Sequence, residues 1–126
     1  MYLSLRVRSR ARNVTVDIAG DIDMNSGPIL EGSLLHFLRI SGTCLLADLS
    51  GVTFIDCAGL RMLITTCRTA GLHASALRFT NPSPPVRRLA DLTGLRDALP
   101  LTAPRDGRVL PERTERLAVG PAWRAS

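Results

Sequence analysis

Asp56 and Cys57 are the residues whose types and placing could do chemistry in this chain. They end the run Asp48-Leu49-Ser50-Gly51-Val52-Thr53-Phe54-Ile55-Asp56-Cys57-Ala58-Gly59-Leu60. It reads as a buried strand, a short turn and the capped start of a helix. Asp suits the cap, because its carboxylate accepts a backbone N–H of the first turn. The residue after it meets unpaired N–H groups and the positive end of the helix dipole. Those groups would stabilise a phosphate. A phosphate there adds bulk and negative charge, and so can break a docking surface. Cys57 presents a thiol instead of a hydroxyl. A helix start favours the reactive thiolate, whereas the carboxylates of Asp56 and Asp23 oppose it.

The remaining candidates carry less. Cys44, Cys57 and Cys67 are odd in number and widely spaced, with no CxxC. That argues against a disulfide framework or a zinc site and for free thiols, those of Cys44 and Cys67 in the core. His36 and His73 belong to no metal or triad pattern. Thr65 and Thr66 lie mid-helix, a poor place for a modified hydroxyl. There is no glycine-rich phosphate loop and no nucleophile elbow. Neither an enzyme nor a cofactor is expected.

The chain has 126 residues and 45% hydrophobic residues, enough for one domain with one core. Only five residues are aromatic, so that core must be aliphatic. The formal charge is +5, and all sixteen basic residues are Arg. They form no single basic run and have no aromatics interleaved, so direct nucleic-acid binding is not expected. No apolar stretch is long enough to span a bilayer, and the start lacks the pattern of a signal peptide. The expectation is a soluble cytoplasmic protein without membrane insertion.

Several elements must position the pair. Leu3, Leu5 and Val7 alternate with Arg6 and Arg8, the period of a half-exposed strand. A loop over residues 9–13 leads to a second strand, Val14 to Ala19, ended by Gly20. Asp21-Ile22-Asp23 leads into a cap region, where Pro28 suits a helix start. Leu30, Leu34, Phe37 and Leu38 recur at helical spacing. Thr43 to Leu49 reads as a central strand, apolar on both faces. Leu60, Leu63, Ile64 and Cys67 mark the helix after Asp56, and Ser75 to Thr80 a further strand. A short helix carries Val86, Leu89, Ala90 and Leu92 and stops at Gly94. Leu95 to Leu101 adds a last turn and a short strand. The order β-β-α-β-α-β-α predicts an α/β fold: a mixed four- to five-stranded sheet, antiparallel first and parallel later, with helices packed on it. Residues 1–102 form the domain, and residues 103–126, broken by Pro and Gly, a flexible or partly helical tail over Glu112 to Val119.

Four blocks carry a resemblance. They are Gly20-Asp21-Ile22-Asp23, Asp48 to Asp56, Gly59-Leu60, and Leu92-Thr93-Gly94-Leu95. In this order, over roughly residues 3–101, the chain resembles STAS domains of the anti-sigma factor antagonist family. The resemblance implies the STAS fold and an interaction module, not an enzyme. It implies a partner, an anti-sigma factor with a serine-kinase ATP-binding fold, whose capture frees a sigma factor. That family carries Ser or Thr as phosphoacceptor directly after the Asp, the position of Cys57. Cys57 is then a pseudo-acceptor that leaves the protein binding-competent, a redox-controlled thiol, or a neutral replacement. The implied partner surface is Asp23, Asn25, Asp56, Cys57, Ala58, Gly59 and Arg61. Asp23 and Asp56 are also open to a purely capping role.

Other stand-alone STAS proteins resemble accessory subunits of lipid-transport ATPases or parts of multi-STAS signalling assemblies, the alternative assignment. A phosphoreceiver shares the layout, but it needs a Lys beside its acceptor and this chain has none. Family members usually end in an amphipathic helix on the sheet. The poor helical pattern near residues 112–118 leaves its absence, homodimerisation over the gap or a degenerate paralogue open.

Overall fold

The computed structural model describes residues 2–10, 13–41, 44–72, 76–102 and 113–119. Strand β1 (Leu3–Arg10) turns into β2 (Asn13–Ile22), and helix α1 (Gly27–Ser41) crosses to β3 (Cys44–Ile55). Helix α2 (Cys57–Leu72) crosses to β4 (Ala76–Thr80), and α3 (Pro84–Thr93) and a 3₁₀ turn (Arg96–Ala98) follow. Strand β5 (Arg113–Val119) completes a five-stranded sheet in the order β4-β3-β2-β1-β5. β1 is antiparallel to β2 and β5, while β2, β3 and β4 are parallel. This is the mixed sheet that the alternating pattern predicts.

One core cluster unites the layers. Leu3, Leu5, Val16, Ile18, Leu45, Ala47, Leu77 and Phe79 come from the sheet. Leu30 and Leu34 of α1, Leu60 and Leu63 of α2, and Val86 and Ala90 of α3 close over them. Leu46, the next residue from Leu45, is also buried, as the central position of β3 demands. Phe79 bridges in parallel to Leu101, so the short strand expected there is a single bridge. The third helix ends as predicted. Gly94 adopts φ 70° and the Leu95 N–H returns to the Ala90 carbonyl at 3.0 Å.

Three expectations need correction. The loop expected over residues 9–13 is shorter, because β1 reaches Arg10 and β2 starts at Asn13. The turn expected after Leu49 is strand, because β3 runs on to Ile55. Its register against β2 slips between Asp17/Ala19 and between Gly20/Asp21, where β3 spends one extra residue each time. Each bulge rotates the strand, so inward residues fall at Leu45, Ala47, Leu49, Val52 and Ile55. Alternation breaks there, and a broken alternation imitates a turn. The third correction is the tail. Arg113–Val119 is a strand on the edge of β1, in register from Leu3↔Val119 to Ser9↔Arg113. It is not a helix. The rest of the expected tail lies outside the described residues.

Candidate functional site

The two bulges carry β3 to the same end of the sheet as the end of β2, where Ile22 pairs with Ile55. α1 and α2 therefore begin side by side. Asp56 joins them. Its backbone N–H donates to the Ile22 carbonyl at 3.1 Å. Its Oδ1 accepts the Gly59 N–H at 2.7 Å, the expected cap of α2. Its Oδ2 accepts the Met24 N–H at 3.2 Å, which draws the loop before α1 onto the start of α2.

Asp23 performs the matching task for α1. Its Oδ1 accepts the backbone N–H groups of Asn25 and Ser26, both at 2.8 Å. The Ser26 hydroxyl in turn accepts the Asp23 N–H at 3.0 Å and donates to the Asp21 carbonyl at 2.8 Å. The hydrogen bond from the Ser26 N–H holds the Asp23 carboxyl below its ordinary value of 3.8. Burial opposes this, and the bonds from the Asn25 N–H and the Ser26 hydroxyl reinforce it. Asp23 is 6% exposed. Of the two readings open to it, the structure favours the cap over the surface contact.

Gly59 is buried as well, pressed against β2. The residues left at the surface are Asn25, Cys57, Ala58 and Arg61, all exposed. Two apolar side chains missing from the expected surface join them: Met24 at 70% exposure and, at the end of β3, Phe54 at 44%. Nothing in the sequence separates an exposed Met or Phe from a core one by type. The signal for Met24 was its place between two capping residues; Phe54 follows two bulges that left no trace in the sequence.

Cys57 is the first residue of α2, and its thiol is free and exposed. Cys67 differs. Burial pushes its thiol up to about 12, and it donates to the Leu77 carbonyl at 3.5 Å. Cys44 and Cys67 are both half-buried rather than fully in the core, with Cys67 packed against it. No cluster of three metal-ligating side chains occurs among the described residues. No helix described is long and apolar enough to cross a membrane. The site can thus present a shaped surface of exposed apolar groups, an amide and a thiol, on two rigid helix starts.

The comparisons with known proteins bear on the fold and the family. Residues 2–105 match the family model of the STAS domain. An anti-sigma-B factor antagonist of Bacillus subtilis is 31% identical over 109 residues, 86% of this chain and 99% of the relative. The crystal structure of an anti-sigma factor antagonist from Mycobacterium paratuberculosis superposes with a TM-score of 0.67 at 30% identity, over 79% of this chain and 84% of that one. The unphosphorylated form of the antagonist SpoIIAA superposes at 0.62 with 17% identity, over 81% and 89%, which shows the fold alone. Fold and matched span together define a STAS domain. The chain belongs to the anti-sigma factor antagonist family of STAS-domain proteins.

Proposed function

We propose that this protein is an anti-sigma factor antagonist that docks on a kinase-type anti-sigma factor and so frees a sigma factor. The docking surface is the pair of helix starts, with Met24, Asn25, Phe54, Cys57, Ala58 and Arg61 outermost. Asp23, Asp56 and Gly59 shape it from beneath. The observation that carries this reading is the exposed thiol at the first residue of α2, next to Asp56, whose carboxylate draws the loop before α1 onto that helix start. A phosphate at that position would put negative charge on the surface. A serine kinase transfers phosphate to a hydroxyl, and Cys57 has none. The protein therefore stays in its docking form, and its activity is set by abundance rather than by phosphorylation. It acts by binding, with no catalytic group of its own.

The test is a pull-down of the purified protein against the host's kinase-type anti-sigma factors with ATP or ADP. Wild type and Cys57→Ser should both be captured, only Cys57→Ser should take up phosphate, and Cys57→Asp should lose binding. If none of the three captures such a kinase, the antagonist reading fails. Recovery of a transport ATPase or of other STAS proteins in the same experiment would put the fold to the alternative use.

A further inference from the structure

The docking surface does not stop at the helix starts. A cleft of about 340 Å³ opens at Cys57 and follows α2 toward its middle. Arg61, Thr65 and Arg68 line it from α2, Ile64 forms its floor, and Thr93 at the end of α3 and Leu95 just beyond it close it. Arg61 and Arg68 are both exposed, and no ion pair involves either among the described residues. Among the described residues, no acidic residue lines the cleft.

We infer that this cleft receives an acidic segment of the protein partner, extending the docking surface along α2. The inference rests on the docking reading above. Arg61 and Arg68 are seven residues apart, nearly two helical turns, so they point the same way about 10 Å apart along the axis. Between them lie the buried Ile64 and the half-buried Leu95. The complementary segment carries two carboxylates about 10 Å apart on one face, at i and i+7 of a helix. An apolar side chain sits between them. Guanidinium groups pair with carboxylates through two parallel hydrogen bonds, which fixes register as well as charge. The cleft holds one or two side chains, not a whole helix. It therefore selects among partners that share the helix-start contact.

Arg68 separates the cleft from the helix starts, being nearly three turns from Cys57. The experiment is calorimetric titration of the full chain with the anti-sigma factor that the wild type captures. Arg68→Glu should weaken binding at least tenfold at low salt, with the difference shrinking in 0.5 M salt. Arg68→Lys should weaken binding less than Arg68→Glu, because it keeps the charge but loses the paired hydrogen bonds. Arg88→Glu, the same charge change at an exposed residue of α3 outside the cleft, should leave it unchanged. If Arg68→Glu binds like wild type, the cleft is not used and the docking reading stands. If Arg68→Glu and Arg88→Glu weaken binding equally, overall charge and not the cleft is responsible, and the inference is overturned. If wild type captures no anti-sigma factor, the docking reading fails and the cleft assignment falls with it.

Discussion

A Cβ placed on Gly59 would lie 2.6 Å from the carbonyl oxygen of Ile22 and 2.8 Å from its Cγ2. The first turn of α2 and the end of β2 thus touch backbone to backbone. The carbonyl cannot retreat freely, because the Asp56 N–H holds it. Gly59→Ala is expected to cost about 1–3 kcal/mol of stability, the usual penalty of overpacking. Urea unfolding measures it. Gly71→Ala is the control, since nothing lies within 4 Å of that position. It should be neutral or stabilising by up to about 1 kcal/mol, the helix-propensity difference.

Asp23 gives a pH signature. Its folded-state pKa is depressed, so its ionised form is favoured by folding. The stability it contributes is fully present above the ordinary value of 3.8 and is lost as pH falls through the depressed folded value. Asp23→Asn keeps an acceptor oxygen but loses the charge, so it should be less stable than wild type at pH 7 by about 0.3–1 kcal/mol. The gap should narrow as pH falls below 3.8 and through the depressed folded value. A gap of equal size at both ends would mean that the charge plays no part.

Much of this was legible beforehand, for reasons that differ by residue. Asp56 was readable as a cap because its chemistry is local, bonding Gly59 three residues on. Its second bond, to Met24, spans 32 residues and had no local trace. The period-two faces of β1 and the stripes of α1 and α2 were visible because burial follows a fixed period there. Strand β3 beyond Leu49 was not, because its two bulges change the period from two to three. Arg113–Val119 carries a pattern that fits a weak helix as well as a strand. Its pairing with β1, not its local preference, decides.

The thiols should separate under alkylation. Cys57 is exposed, while Cys67 has its thiol pushed up to about 12 by burial. At pH 8 only about one Cys67 in ten thousand is a thiolate, and the thiolate is the reacting species. Brief treatment of the native protein with iodoacetamide, read by peptide mass mapping, should label Cys57 and spare Cys67. Denaturant should make Cys67 reactive. Docking of the anti-sigma factor should protect Cys57, because the thiol lies on the proposed surface. Equal labelling of Cys57 in the free and bound protein would move the docking surface elsewhere.

Strand β5 covers the edge of β1 through seven residue pairs, Leu3↔Val119 to Ser9↔Arg113. Without it β1 would present a free row of N–H and C=O groups, a template for a second chain. Arg6 and Arg8 project from β1 and oppose such pairing by charge, but one of them is already engaged. Arg8 donates to Asp17 Oδ1 at 2.8 Å, which neutralises part of that protection. A chain ending at residue 102 should therefore self-associate more than the full chain as concentration rises. Sedimentation velocity from micromolar to millimolar concentrations reads this directly. An unchanged mass for the shortened chain at every concentration would mean that the arginines alone keep the edge closed.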